Sequence, residues 1–261
     1  MSRKKQTIAI SIHVDGYYGL VKGVPRILKL LKKYKIKTTF FINMGKEANI
    51  FQLLKYRRNH KNSQKNLKVE KRYTKIEQAS MILLNRKLGQ NYKKLLIEIE
   101  KQGHEVEPHC WSHLLWSKNF EKLNHKKEIF LMKRAYENIF NKSPKGFAPP
   151  TWKYNQKVIE LLKEANFQYI AVSDTAKTIK KKDGFFIIPV SFSKNIEELI
   201  SGGHKKEKII KIYKKELNKK YVNIYFHSDF EGIKGLRLFE EVLNLIKGKK
   251  TFTYLELIKD K

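Results

Sequence analysis

Short apolar runs alternate with amphipathic stretches along nearly the whole chain, and that alternation leaves few architectures open. Residues 7–14 read as a strand, with Ile8, Ile10, Ile12 and Val14 on one face and Ala9, Ser11, His13 and Asp15 on the other. A helix follows, with Pro25 in its first turn and Val24, Ile27, Leu28 and Leu31 at helical spacing. Residues 38–42, 105–109, 169–172, 185–189, 222–227 and 251–253 read as further strands. Residues 119–140, with the stripe Leu123, Ile129, Met132, Tyr136 and Ile139, read as a helix, as do 155–165 and 236–246; Asn166 suits a left-handed cap. Strand and helix taking turns in this way predict an α/β fold with a mostly parallel sheet. No repeat or flexible linker interrupts it, so one domain over 1–261 is expected.

Residues 46–94 break the pattern. Between 51 and 94, 13 Lys+Arg stand against two acids, Glu70 and Glu77. Apolar clusters interleave them: Phe51, Leu53, Leu54 and Tyr56, then Met81, Ile82, Leu83 and Leu84. The segment is too long for a connecting loop, and we read an inserted basic helical hairpin. It is a solvated insertion, a dock for an anionic membrane, where each Lys or Arg is worth about 1 kcal/mol, or, least favoured, a nucleic-acid arm.

The whole chain carries 56 Lys+Arg and 25 Asp+Glu, a formal net charge of +31. Part of that reflects a general preference for lysine; the rest predicts an anionic partner. A lipid-bearing phosphate or an acidic bilayer is expected, and no nucleic acid. One cysteine, Cys110, precludes an internal disulfide. The basic start runs into an apolar stretch carrying His13 and Asp15, which reads as a strand and not a signal peptide. No apolar run approaches the roughly 18 residues of a spanning helix. The expectation is a cytoplasmic protein peripheral to the inner membrane, its oligomeric state open.

His109 and His113 stand four residues apart in Glu107-Pro-His-Cys-Trp-Ser-His113, and Asp15 ends the first strand. Two imidazoles and a carboxylate can hold a divalent cation and leave positions for water, a means of making hydroxide near neutral pH. Hydrolysis is therefore the first hypothesis. Zinc is the default ion, with manganese and cobalt as alternatives. His104, His125 and His204 are expected on the surface.

Taken in order, these pieces resemble the NodB-type polysaccharide deacetylases, a family of distorted (β/α) barrels that hydrolyse amides with a metal. His13-Val-Asp15 stands at its aspartate-pair motif, and His109-Cys-Trp-Ser-His113 matches its His-x-x-Ser-His motif without a gap. Ala148-Pro-Pro-Thr-Trp152 stands for its Arg-Pro-Pro-Tyr-like loop, Asp174 for a post-strand aspartate, and His227 for a late strand-end histidine. Within the family the chain is most similar to the formamido-arabinose-phosphoundecaprenol deformylases. That similarity lies in Gly23-Val-Pro-Arg-Ile-Leu28, in the position of the insert, in Glu105–Trp111 and in His227-Ser-Asp-Phe-Glu-Gly232.

The resemblance implies Asp15, His109 and His113 as metal ligands and His227 as general acid, oriented by Asp174. It implies an oxyanion donor near Thr151, a sugar site walled by Trp152 with Trp111 as a second wall, and Lys153 among the substrate contacts. It also implies a lipid-linked amino sugar as substrate; removal of acetyl from a galactosamine is slightly favoured over removal of formyl from an arabinose. Two departures stand out. His13 occupies the position of the presumed catalytic base, and Ala148 that of the arginine that pairs with it. A neutral imidazole needs no such partner and serves as base near its ordinary pKa of about 6.5. Two rivals remain: a deacetylase of polymeric glycan such as peptidoglycan or chitin oligomers, and a non-catalytic basic module on the same scaffold.

Overall fold

The computed structural model describes residues 6–47, 74–84, 86–174 and 178–259. Most of the inserted basic segment lies outside the described residues. Its described part includes the helix α2 (Lys75–Leu84), with Lys22 pairing to Glu77 and with Ile76 and Leu83 facing solvent.

Five strands form the first sheet: β1 (Thr7–Val14), β2 (Thr39–Asn43), β3 (Glu105–Cys110), β8 (Tyr221–His227) and β9 (Thr251–Phe252). Their order is β3-β2-β1-β8, with β9 pairing the start of β1, and every pairing is parallel. The second sheet runs β4-β5-β7-β6, from β4 (Gly146–Phe147), β5 (Tyr169–Val172), β6 (Lys180–Lys182) and β7 (Phe185–Pro189); only the β6–β7 hairpin is antiparallel. One bridge, Phe192 to Ile224, joins the second sheet's exit to β8. On the other side no ladder joins β3 to β4 among the described residues. There the buried Glu107 carboxylate accepts the Lys145 amide at 2.9 Å, so a side chain takes the place of strand pairing.

The alternation read in β1 explains the layering. Ile8, Ile10, Ile12 and Val14 join the outer core with α1 (Val24–Tyr34) and α10 (Leu236–Asn244), through Val24, Ile27, Leu31, Phe239 and Val242. Ala9 faces inward with Phe41, Tyr169, Ala171 and Ile188, where Tyr254 and Ile258 of α11 (Tyr254–Lys259) plug the bottom. Close backbone packing explains two glycines. A Cβ on Gly232 would lie 2.6 Å from the Gly23 Cα, and one on Gly23 would strike the Ser228 carbonyl.

Three expectations need correction. Residues 119–140 are not one helix: a 3₁₀ turn at Phe120–Lys122 ends in extended Leu123, and the Asn124 side chain then caps α6 (His125–Phe140) at the Lys127 amide. His104 and His125 are buried, not superficial. His104 packs edge-on against Phe40, and His125 against Trp116 and Phe120. Finally, α8 (Ile196–Ser201) and α9 (Lys206–Glu216) fill a stretch that the strand-and-helix reading left blank.

Candidate metal and hydrolytic site

The C-terminal ends of β1, β3 and β8 converge. His13 and His227 are register partners on neighbouring strands, and His109 sits on β3's inward face with Glu105 and Glu107. Asp15 follows β1, while His113 opens the short helix α5 (His113–Lys118). One ligand atom from each of Asp15, His109 and His113 lies within 4.8 Å of the others. Asp15 Oδ1 is 3.5 Å from the Nε2 of both histidines, and Asp15 Oδ2 is 3.8 Å from His227 Nε2.

The surroundings fix these groups. His109 Nδ1 donates to the Ala148 carbonyl at 2.6 Å, which leaves the Nε2 lone pair facing Asp15, the arrangement expected of a metal-binding imidazole. Burial first, then His113, pushes His109 down to about 3, against the raising influence of Asp15, so the ring is neutral and free to coordinate. Asp229 holds the Asp15 turn by accepting from the Asp15 and Gly19 amides at 3.3 and 3.1 Å. Glu128, raised to about 7 by burial, accepts the Ser112 amide at 2.9 Å and so positions the start of α5. A donor set of two neutral imidazoles and one carboxylate at this spacing fits a divalent cation.

His13 is 2% exposed, its ring against those of His109, Trp152, Tyr225 and His227 at 4.8–5.5 Å. Its Nε2 is buried and makes no hydrogen bond among the described residues. Burial, followed by the neighbouring His109 and His227, holds it well below the usual histidine range.

His227 Nδ1 lies 2.7 Å from Asn195 Nδ2. The other end of that carboxamide is occupied, because Asn195 Oδ1 caps α8 by accepting the Glu198 amide at 2.8 Å. Asn195 therefore presents its NH₂, His227 Nδ1 accepts, and the neutral ring carries its hydrogen on Nε2, toward Asp15. Asp174, expected to orient His227, follows β5 with its carboxylate 3.9 Å from Lys180 Nζ; the hydrogen bond on Nδ1 comes from Asn195.

The 148–152 loop is strained. Thr151 and Trp152 are consecutive non-glycine residues in the left-handed region, at φ 53 and 59. Pro149 and Pro150, the Trp152 amide on the Pro149 carbonyl, and the Trp116 indole on the Lys153 carbonyl hold them there. Thr151 is exposed at the rim, Trp152 stands edge-on to Tyr225, and Trp111 lines a neighbouring cavity. The Lys153 ammonium donates to the Ser117 carbonyl at 2.8 Å, tying the loop to α5.

Sequence reasoning missed the residues that hold others in place. Asn195, Glu198, Tyr225, Asp229 and Glu231 all lie within one or two hydrogen bonds of the site. The Tyr225 hydroxyl reaches Glu198, and Glu231 accepts the His227 and Glu197 amides. One of them had a readable signal: Asn195 followed by Glu198 before apolar residues is a capping-box pattern.

Comparison with known proteins agrees with this geometry. The polysaccharide deacetylase family model matches residues 2–170. A probable 4-deoxy-4-formamido-L-arabinose-phosphoundecaprenol deformylase, ArnD, of Wigglesworthia glossinidia brevipalpis is 30% identical over 245 residues, 87% of this chain and 83% of that protein. Its counterpart in Shewanella sediminis is 23% identical, covering 93% and 82%. Among solved structures, a putative polysaccharide deacetylase of Mycobacterium smegmatis superposes with a TM-score of 0.67 at 16% identity, covering 100% of this chain and 91% of that one. The chain belongs to the polysaccharide deacetylase family and is a hydrolase of amide C–N bonds.

Proposed function

We propose that this protein is a metal-dependent de-N-acylase of an undecaprenyl-phosphate-linked amino sugar, acting at the cytoplasmic face of the inner membrane and feeding lipopolysaccharide modification. The observation that carries the reading is the Asp15–His109–His113 cluster with His109 fixed by the Ala148 carbonyl. The two curated deformylases covering most of the chain support a lipid-linked amino sugar as substrate.

Asp15, His109 and His113 would hold the ion, zinc by donor type, with manganese or cobalt as the other fits. Bound there, a divalent cation supplies Lewis acidity toward a water and toward the amide carbonyl. His13, kept neutral by burial, accepts the proton that the attacking water loses. The exposed turn at Thr151 offers a backbone N–H to the oxyanion. His227, held from behind by Asn195, points its Nε2–H at the leaving nitrogen as a hydrogen-bond donor, and the proton that leaves with the amine is the one His13 took from the water. Trp152 walls the sugar.

Membrane association draws support from α2, which turns Ile76 and Leu83 outward, and from the sequence of the insert, where 13 Lys+Arg stand against two acids between 51 and 94. Among the described residues no helix is long and apolar enough to cross a membrane.

The test is direct. Purified protein is incubated with undecaprenyl-phosphate N-acetylgalactosamine or the formamido-arabinose lipid, with added zinc or with chelator, and the products are weighed by mass spectrometry. Loss of acetyl or formyl in the zinc sample alone supports the reading, and loss of acetyl first supports the galactosamine preference. Equal turnover with chelator, or none on either lipid, would falsify it.

A further inference from the structure

A cavity of about 390 Å³ beside the histidine motif combines apolar walls with two lysines, and the chemistry above does not use it. Its lining comes from the segment after β2, the turn after β3, α5 and the start of α6, through Lys46, Trp111, Leu115, Leu123, Lys127 and Leu131. Ser112, also in the lining, adjoins His113, so the cavity begins one residue from the ligand cluster. Trp111 and Leu123 pack against the core and, with Leu115 and Leu131, stay only half-buried. Apolar surface left half-covered in a cavity beside a reaction centre suits an apolar part of a ligand.

Lys46 and Lys127 are both exposed, and each rises from fixed backbone. Lys46 sits on a backbone bridge to Lys87, and the Lys127 amide donates to the Asn124 side chain at 3.0 Å. The two acids of the lining are turned to backbone instead. Glu47 Oε1 accepts the Tyr17 amide at 2.7 Å, Glu128 Oε2 accepts the Ser112 amide at 2.9 Å, and both residues are buried. The charge that the cavity offers to solvent is therefore positive, and it complements an anion that carries an apolar tail.

Resting on the function proposed above, we infer that this cavity holds the prenyl phosphate of the substrate, with Lys46 and Lys127 on the phosphodiester and Trp111, Leu115, Leu123 and Leu131 against the first isoprene units. The phosphate of a lipid-linked sugar stands no more than one ring from the amide that must meet the ion, which matches a cavity starting beside His113. Lysine suits the task, because a point charge on a flexible stem follows a phosphate without demanding one orientation.

The test compares zinc-loaded wild type with K46Q, K127Q and their double variant on three forms of the N-acyl amino sugar in one detergent buffer: methyl glycoside, methyl phosphodiester and geranylgeranyl phosphodiester. In wild type each step along that series should raise kcat/KM about tenfold, mainly through KM, first from a charge-assisted contact and then from buried prenyl carbons. The double variant should bring the first step close to one, and L131S should shrink the second. K126Q removes a neighbouring exposed lysine outside the lining and should leave both steps as in wild type. A first step unaltered in the double variant overturns the inference, as does a second step unaltered in L131S. Equal losses on all three sugars, which mark mere structural support, overturn it too, and so does a fall in K126Q as large as in K127Q, which marks diffuse attraction. Should wild type cleave none of the three, the reaction assignment falls, and the cavity is judged by whether geranylgeranyl phosphate binds wild type more tightly than the double variant in calorimetry.

Discussion

Two polar layers lie on the inward faces of the strands, one near the bottom and one at the mouth, and they are finished differently. At the bottom, Glu105 accepts from the Thr39 and Tyr169 hydroxyls at 2.7 and 2.8 Å and from the Leu255 amide at 3.1 Å. The Tyr254 hydroxyl bonds Ser11 and Asn223, and Asn223 donates to the Pro189 carbonyl. At the mouth, two and four residues further along the same strands, histidines crowd together and His13 Nε2 has no mate among the described residues. Saturated buried networks hold a fold together, while unsaturated ones store unmet bonding capacity for a ligand. The inward face of β3 carries both, with Glu105 in the first layer and His109 in the second.

If that division is real, substitutions in the two layers should have opposite signatures. The largest effect is expected from His109→Ala: deacylation falls by roughly a thousandfold or more, zinc binding measured by calorimetry disappears, and the urea stability of the metal-free protein moves by only about 1–2 kcal/mol. Glu105→Ala should do the reverse. It strands the Thr39 and Tyr169 hydroxyls and the Leu255 amide, so equilibrium urea unfolding should show a loss of about 3–5 kcal/mol. The molecules that remain folded should retain kcat within a few fold. If Glu105→Ala abolished turnover in fully folded protein, the two layers would be one functional unit and the comparison would break.

A smaller effect concerns pH and the bottom end alone. Burial, helped by Lys37, lowers His104 to about 4 from an ordinary 6.5. Between those values the unfolded chain binds a proton that the folded chain refuses, so stability falls as pH drops from about 6.5 to about 4. The full loss is roughly 3 kcal/mol. His109 shares that sign in the metal-free protein, so the measurement is the difference between wild type and His104→Phe across the window. Parallel curves would show that His104 is solvated after all.

What the sequence made legible follows from period. The twofold alternation of β1 separated Ile8, Ile10 and Ile12 from Ser11 and His13 without any tertiary information, and the i, i+4 histidines announced a shared target. Residues 169–172 and 185–189 are strands at the expected bounds. What stayed hidden depends on distance in the chain. Nothing near His227 indicates that an asparagine 32 residues earlier will meet its Nδ1, because that contact exists only once α8 is capped beside β8. His104 and His125 were misread for a related reason: a lone histidine among lysines has no period, and only the packed Phe40, Trp116 and Phe120 rings reveal its burial. Polar residues that serve other polar residues leave no hydrophobic pattern to read.

Asn195 supplies the smallest prediction and tests the mouth layer from behind. Its carboxamide links a helix cap to His227, with Oδ1 on the Glu198 amide and Nδ2 on the imidazole. Asn195→Ala removes both bonds, and loss of a cap alone costs about 1 kcal/mol of stability. Asn195→Ser keeps a capping oxygen but cannot reach His227, so it separates the two roles. For Asn195→Ser the expectation is a drop in kcat of about ten- to hundredfold, the usual cost of losing a group that orients a reacting imidazole. Zinc affinity should be kept, since Asp15, His109 and His113 do not lean on this amide. Histidine nitrogen NMR gives the readout that a purely structural role would leave unmoved. In the wild type the neutral His227 ring should carry its hydrogen on Nε2, and in the serine variant that preference should weaken. A wild-type ring protonated on Nδ1 would mean that Asn195 presents its oxygen to His227, and the mouth would then have to be rebuilt around the opposite tautomer.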